Sequence, residues 1–208
     1  MNIFKKLNRK NIEIAVCLAL ISSIILSFAH FDAACEDLRK SVLRLHIIAN
    51  SDTAADQQVK LKIRDEILKN SETLFKDCDD LDSAIHSAKT NIKDINEIAN
   101  RVLLENGFSY TATARIGDSY FETREYDDFT LPAGTYKSLI VDLGEAEGKN
   151  WWCVVFPKVC VGASDDKDSL SKSAAEESAK IAESKQEYKV KFKIVEWYES
   201  FKKKLKKR

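Results

Sequence analysis

The chain has 208 residues, 44% of them hydrophobic, which is enough for one ordinary globular domain and short for two. Its 33 basic residues balance 33 acidic residues, so the net charge gives no reason to expect nucleic acid as a partner. With only two prolines and six glycines, the composition predicts regular helices and strands joined by few long loops.

The N-terminal segment joins a basic head to an apolar run. Four basic residues lie within the first ten: Lys5, Lys6, Arg9 and Lys10. From Ile12 to Phe28 the chain is almost wholly apolar, a pattern typical of an export signal whose cations stay in the cytoplasm. Ser27-Phe28-Ala29 offers a cleavage site after Ala29. The alternatives are an uncleaved anchor spanning residues 12–29, which is slightly short for a full span, and a buried core helix.

The first elements of the exported part are a strand and a capped helix. Over residues 41–49, Leu43, Leu45 and Ile47 alternate with Arg44 and His46, which predicts a half-buried strand. Residues 50–53, of sequence Asn-Ser-Asp-Thr, are suited to end the strand and cap a helix. That helix is predicted to reach about residue 75.

A second helix is predicted from Leu81 to Glu105, because its apolar residues recur at intervals of three and four. The stripe they form is interpreted as packing on a sheet, and a coiled-coil seam for a partner is the alternative. Asn106-Gly107 supplies a stop signal for this helix.

From Phe108 to Phe156 the apolar period changes to two, which predicts strands linked by hairpins. The expected order is strand 110–116, a turn at 117–119, and strands 120–126, 136–143 and 151–156. A short helix to about residue 184, a last strand at 188–196 and a basic helical tail follow.

The segregation of strands and helices predicts an α+β fold. We expect one mainly antiparallel sheet of about five to six strands, with two to three helices packed largely on one face. The predicted divisions are a signal peptide or anchor at 1–34, an exported domain at 35–196 and a basic helical tail at 197–208.

A catalytic site is not predicted. His46 lies near Asn50, Ser51 and Asp52, but Ser51 and Asp52 are needed for capping. The sequence contains no nucleophile elbow, no His-x-x-x-His pair and no Gly-rich phosphate loop. We therefore expect no enzyme activity, no metal and no cofactor, and keep an exported hydrolase using His46 and Asp52 as an alternative.

Four of the five cysteines follow the leader: Cys35, Cys78, Cys153 and Cys160. A Cys153–Cys160 disulfide would close a short loop and contribute roughly 2–3 kcal/mol. Two packed thiols at these positions are the alternative, because cysteine is often a small buried hydrophobe.

The last two features are a pair of adjacent tryptophans and a basic run at the C-terminal end. Trp151 and Trp152 are adjacent, so on a strand their side chains point to opposite faces. The run from Lys202 to Arg208 is interpreted as a solvated helix end, or else as a contact with anionic lipid.

Two sequence blocks resemble the stage II sporulation protein R family. The first is Leu-Arg-Leu-His-Ile-Ile-Ala-Asn-Ser-Asp at 43–52, continued by Asp56-Gln57 and by Lys-Ile-Arg-Asp at 62–65. The second is Leu-Pro-Ala-Gly-Thr-Tyr at 131–136, followed by Gly-Lys-Asn-Trp-Trp-Cys-Val-Val-Phe-Pro at 148–157 and by Cys160. The similarity extends over roughly residues 38–195.

The resemblance implies an exported signalling protein. Family members are made in the forespore and enter the space between its two membranes. There they activate a membrane-embedded aspartic protease of the mother cell, which processes the precursor of sigma E. Exposed members of the two blocks are the candidate partner-binding residues: His46, Asn50, Asp52, Gln57, Arg64, Asp65, Trp151, Trp152 and Pro157. A structural envelope protein that binds through its basic tail is a further alternative.

Overall fold

A computed structural model describes residues 9–126, 129–157, 176–183 and 188–206. The helices are α1 (Arg9–Ser41), α2 (Ala54–Leu74), α3 (Leu81–Thr90), α4 (Ile92–Glu105), α5 (Glu176–Glu183) and α6 (Lys189–Lys206). The strands are β1 (Leu43–Ile48), β2 (Ala112–Phe121), β3 (Arg124–Glu125), β4 (Thr130–Leu131), β5 (Gly134–Leu143) and β6 (Asn150–Phe156).

Four of the strands form the main sheet, in the order β2-β5-β1-β6. β5 runs parallel to β1, while the β2–β5 and β1–β6 pairs are antiparallel. β3 and β4 form a separate two-stranded sheet. The predicted α+β class is confirmed, and the six strands described are divided between two sheets.

One face of the main sheet, here called the aliphatic face, packs against α2, α3 and α4. Leu43, Leu45 and Ile47 of β1 are fully buried there, in one cluster with Ile63 of α2 and Ala99 of α4. Each large aliphatic side chain buried in this way contributes ~1.5–3 kcal/mol. This cluster is the largest core in the described part of the chain.

The opposite face, here called the aromatic face, carries Arg44 and His46 of β1. Leu38 of α1 and Ala182 of α5 pack with the aromatic side chains of this face. Helices therefore lie on both faces of the sheet, with three of them on the aliphatic face as predicted. The second face is covered because α1 continues past its exposed apolar stretch into the domain.

α1 has two parts with different surroundings. Its 33 residues span about 50 Å. The apolar stretch is exposed through Leu26, and α1 is long and apolar enough to cross a membrane. The last turns are buried, including Phe31 and Leu38. Cleavage after Ala29 would leave these buried contacts in the domain, whereas the predicted boundary after residue 34 falls within the helix.

Arg39, near the end of α1, fixes the helix against the sheet. Its Nη1 donates a hydrogen bond to the carbonyl of Ala133 at 3.0 Å. Gly134 has φ +152°, and a Cβ there would lie 2.5 Å from Cδ of Arg39. The glycine of the Leu-Pro-Ala-Gly-Thr-Tyr block thus makes room for the arginine.

The predicted turn at 117–119 is wrong, because β2 runs unbroken through it. Gly117 pairs with Ser138, and Asp118 pairs with Lys137. The Asp118 carboxylate also lies 2.9 Å from Nζ of Lys137. A continuous partner strand thus keeps residues with turn propensity in an extended conformation.

The predicted strand at 188–196 is also wrong, because these residues belong to helix α6. Apolar residues on two sides of a helix imitate the alternation of a strand. The predicted helix 81–105 is divided at Asn91, whose side-chain amide donates to the carbonyl of Ser87 at 3.0 Å and so competes with the helical ladder. The start of the predicted short helix, at 162–175, lies outside the described residues.

Candidate partner-binding surface

Asn50 and Asp52 join the end of β1 to the β5–β6 turn, an arrangement here called the loop clamp. Oδ1 of Asn50 accepts a hydrogen bond from the backbone N–H of Glu145 at 3.0 Å. A carboxylate oxygen of Asp52 accepts from the N–H of Lys149 at 2.7 Å. The N–H of Gly148 donates to the carbonyl of Ala49 at 2.8 Å. These polar side chains thus hold two loops together.

The clamp requires glycine at two positions. Gly144 has φ +54°, and a Cβ there would lie 2.2 Å from Oδ1 of Asn50. A Cβ at Gly148 would lie 2.3 Å from the carbonyl oxygen of Ser51. Any larger residue would therefore displace the chain that carries Asn50 and Asp52.

Asp56 is the buried anion beneath the clamp. It accepts hydrogen bonds from Asn50, from the hydroxyl of Ser51 and from the hydroxyl of Tyr110. Burial alone would raise the pKa of Asp56, but these donors outweigh burial and hold the pKa below its ordinary value. Asp56 is also in the first turn of α2, where Thr53 accepts from its backbone N–H. Sequence analysis named Asp56 only as part of the first block, because Tyr110 is distant along the chain.

Gln57 supports the clamp through Lys60. Its Nε2 donates to the carbonyl of Ser51 at 2.9 Å, and its Oε1 accepts from Nζ of Lys60 at 2.6 Å. Nζ of Lys60 also donates to the carbonyl of Lys149 at 2.8 Å. Burial lowers the pKa of Lys60. The polar groups of Gln57 are therefore committed to contacts within the domain.

Another group of contacting side chains lies at the edge of the aliphatic face: Arg64, Asp65 and Trp151. The guanidinium carbon of Arg64 lies 4.4 Å from the ring centroid of Trp151. Its Nη2 lies 2.6 Å from the carboxylate of Asp65. Asp65 is exposed and Trp151 is half-buried, so this group is accessible from solvent in part.

His46 and Trp152 stack on the aromatic face. Their ring centroids are 4.2 Å apart and the planes differ by 10°. The ring of Phe121 packs edge-to-face against that of Trp152, with the two centroids 4.6 Å apart. Trp152 is half-buried and His46 is buried. The two adjacent tryptophans do point to opposite faces, as predicted.

The polar partners of His46 fix its tautomer. Nε2 lies 3.0 Å from Oδ1 of Asn150, which can only accept, so Nε2 carries the proton. Nδ1 then accepts from the hydroxyl of Ser119 at 3.1 Å. Burial lowers the pKa of His46, against the opposing effect of the Asn150 hydrogen bond. The imidazole is consequently neutral at pH 7.

Arg44 is the feature of this face that sequence analysis missed. It is fully buried, with its guanidinium carbon 3.9 Å from the ring centroid of Phe121 and 4.9 Å from that of Tyr136. Nη2 donates to the hydroxyl of Tyr126 at 2.7 Å, and Nε donates to the carbonyl of Cys153 at 3.2 Å. Aromatic faces thus surround this cation. Phe121 and Tyr136 are distant from Arg44 along the chain, so no local pattern in the sequence indicates these contacts.

The exposed edge of the aromatic face is polar. Thr113, Arg115 and Asn150 are exposed, and Arg115 Nε lies 3.0 Å from the carboxylate of Asp142. We call these four residues the rim. Asn150 lies two residues before the half-buried Trp152 on β6, whereas Thr113 and Arg115 lie on β2, three strands away in the same sheet. The rim therefore offers polar and charged groups on the same face as an aromatic side chain. Such a composition is typical of protein–protein contact surfaces.

The structure divides the nine candidate residues rather than bringing them together. Asn50, Asp52 and Gln57 belong to the clamp. Arg64, Asp65 and Trp151 lie at the aliphatic edge. His46 and Trp152 lie on the aromatic face, and Pro157 is buried after β6. Their role in binding a partner stays a prediction.

The His46–Asp52 pair of the hydrolase alternative is not formed among the described residues. The His46 ring bonds to Ser119 and Asn150, while Asp52 bonds to the backbone of Lys149. Across the described ranges, no group of three or more His, Cys, Asp and Glu residues could hold a metal ion.

Three of the four cysteines that follow the leader lie among the described residues: Cys35, Cys78 and Cys153. Cys153 is buried, but Cys160 lies outside the described residues, so their disulfide stays a prediction. Cys35 and Cys78 are free thiols. Burial raises the pKa of the Cys35 thiol to about 12, so this thiol is protonated and unreactive at neutral pH.

The comparisons with known proteins agree with the sequence blocks. A family model described as Stage II sporulation protein R matches residues 39–167. The chain is 32% identical over 176 residues to "Stage II sporulation protein R" of Bacillus subtilis (strain 168), covering 74% of this chain and 79% of that protein. No solved structure matches the chain. A family model that covers more than half of the sequence, together with this relative, shows that the chain belongs to the stage II sporulation protein R family.

Proposed function

We propose that this protein is an exported signal that activates a membrane-embedded aspartic protease, which in turn processes the sigma E precursor. The observation that carries the proposal is the two-part helix α1. Its exposed apolar stretch fits a bilayer, and its buried end is integral to the domain. A domain built onto such a helix acts next to a membrane, on the side to which the helix delivers it.

The mechanism is differential binding. A protein that binds the active and idle forms of the protease equally well would leave their ratio unchanged. The domain must therefore contact an arrangement of the protease's extracytoplasmic part that occurs in the active form. We assign this contact to the rim and Trp152, because exposed polar groups and a half-buried aromatic side chain on one face combine specificity with affinity.

The test is co-expression of this chain, the protease and the sigma precursor in a host that does not form spores. We expect processing to require the chain and its N-terminal segment. Thr113→Arg and Arg115→Glu change exposed side chains of the rim, and should reduce processing while the domain stays folded. Arg101→Glu is the matched control, because Arg101 is exposed on α4, which packs on the other face. Equal processing with and without the chain would refute the proposal.

A hydrolase is the second candidate, favoured by one observation. The Ser119 hydroxyl, the His46 imidazole and the Asn150 amide form a chain with links of 3.1 and 3.0 Å. A neutral imidazole that accepts from a serine hydroxyl has the geometry of a base and nucleophile pair. A fluorophosphonate probe that labels the wild type but not Ser119→Ala would support this function. If Ser119→Ala still supports processing of the sigma precursor, the hydrolytic group is not needed for signalling.

A further inference from the structure

Helix α6 has two apolar sides, and only one of them packs within the described structure. Phe192 and Val195 are buried in a cluster with Phe31 and Cys35 of α1. The other side carries five large apolar residues, here called the outer stripe: Val190, Ile194, Trp197, Phe201 and Leu205. Trp197 is 71% exposed and Phe201 is 62% exposed. Their spacing of three and four residues places the five on one side of the helix.

Lysines border the outer stripe. α6 contains seven lysines and two glutamates, although the whole chain is neutral. At 100° per residue, Lys193 and Lys204 fall along one edge of the stripe, and Lys191 and Lys202 fall along the other. An apolar stripe between two rows of cations is typical of helices that lie in a membrane interface.

The position of α6 points to the membrane that α1 enters. Nζ of Lys191 lies 3.2 Å from Oγ of Ser27, and the ring of Tyr188 stacks on Phe31 at 5.5 Å. The exposed apolar stretch of α1 ends at Leu26, immediately before these contacts. The first turn of α6 therefore begins at the level where α1 would leave the hydrocarbon.

The far end of α6 is fixed to the sheet. The hydroxyl of Tyr120 lies 3.2 Å from that of Ser200, and Nζ of Lys203 lies 4.2 Å from the ring centroid of Tyr120. At 100° per residue, Lys203 lies on the side of α6 opposite the outer stripe and Ser200 lies on the flank between them. Because the buried side of α6 packs along α1 from Ser27 to Cys35, the two helices move together, and a tilt of α1 towards α6 would bring the start of the stripe to the bilayer first.

We propose that the outer stripe of α6 docks on the anionic surface of the bilayer into which α1 inserts. Trp and Phe are favoured at the headgroup level, and anionic headgroups would neutralise the bordering lysines. A second copy of the chain fits the stripe poorly, because lysine rows on both helices would repel each other. Docking would hold the domain against the membrane and limit the orientations in which it meets a membrane-embedded partner.

The experiment uses the full chain in phospholipid vesicles. The emission of Trp197 is obtained as the difference between the wild type and Trp197→Tyr. We expect brominated phosphatidylglycerol to quench this emission strongly, and brominated phosphatidylcholine to quench it weakly. Lys202→Glu with Lys204→Glu should weaken the quenching, since each lysine lost lowers the affinity for an anionic surface about fivefold. Lys89→Glu with Lys93→Glu, exposed on α3 and α4, is the matched control and should leave the quenching unchanged.

Two outcomes would overturn the proposal. Equal quenching by the two lipids, insensitive to the reversal of Lys202 and Lys204, would mean that lipid charge plays no part. Absence of quenching in both would mean that lipid does not contact the stripe. A dimer mass in sedimentation would then identify a second copy as its occupant, and a monomer mass would leave a protein partner. The vesicles contain no protease, so either failure leaves the proposed function standing.

Discussion

The two faces of the main sheet are built from different kinds of side chain. The aliphatic face buries leucine, isoleucine and alanine under three helices. The aromatic face buries Arg44 and His46 among aromatic rings, and its exposed edge is polar. Aliphatic packing requires only complementary shape and volume, whereas a buried cation or imidazole requires specific partners. We therefore expect the aliphatic face to determine stability and the aromatic face to determine recognition.

The largest effect on stability is expected on the aliphatic face. Leu45 is fully buried between β1 and the helices, so Leu45→Ala should lower the free energy of unfolding by ~3–4 kcal/mol. Denaturant unfolding of the full chain in mild detergent measures this change. A loss as small as that of an exposed substitution such as Leu104→Ala would contradict the assignment of the core.

A smaller effect, with a different origin, is expected at Arg44. Arg44→Ala removes two hydrogen bonds and the contacts with the rings of Phe121 and Tyr136, and should cost ~2–3 kcal/mol. Arg44→Met keeps most of the volume and removes the buried charge, so it should cost less. The same unfolding experiment compares the two variants. If Arg44→Met cost as much as Arg44→Ala, the charge and hydrogen bonds that both variants lose, rather than side-chain volume, would be what stabilises this face.

The third effect on stability is expected at Asp56, in the loop clamp. Asp56→Asn should cost ~1–3 kcal/mol at pH 7, because the hydrogen bonds from Ser51 and Tyr110 lose their charged acceptor. The pKa of Asp56 lies below its ordinary value in the folded protein. Its contribution is therefore complete above about pH 4 and is lost as the pH falls through the folded-state pKa. Unfolding curves of wild type and variant should converge at low pH, and a constant difference would contradict this account.

The smallest effect is expected from the titration of His46. Because burial lowers its pKa in the folded protein, the unfolded chain takes up the proton first as the pH falls. Stability should be complete above the unfolded pKa of about 6.5 and decrease below it. His46→Gln should flatten the dependence of unfolding free energy on pH between about 7 and 5. An unchanged slope would mean that His46 titrates normally.

The aliphatic face was the more predictable from sequence. The strand at β1 and the cap at Thr53 were predicted from local patterns, and each was found in the structure. The predicted half-burial of β1 is wrong, because Arg44 and His46 are buried on its second face. The aromatic face depends on distant residues: the ring of Phe121 covers Arg44, and Ser119 reaches His46. Sequence periodicity could place these residues on strands but could not show that β2 continues past Gly117 and brings them over β1.

The candidate site shows the same limit. Asn50 and Asp52 belong to the first sequence block and Gly148 to the second, and a short-range pattern could not show that the loops carrying them are hydrogen-bonded to each other. Residues 188–196 of α6 were predicted as a strand because the helix has a second apolar side, which has no partner within the described structure. An apolar stripe on a helix has the same sequence pattern whether it packs in a core or faces outward. The sequence alone does not show which elements lie beside it.

Whether the domain acts from outside the cytoplasm is tested by precursor processing in the reconstituted host, measured for three forms of the chain. We predict processing with the wild type, none when residues 1–29 are deleted so that the domain stays in the cytoplasm, and reduced processing with Arg115→Glu. Full processing by the form retained in the cytoplasm would contradict an account in which the domain acts from outside by contact.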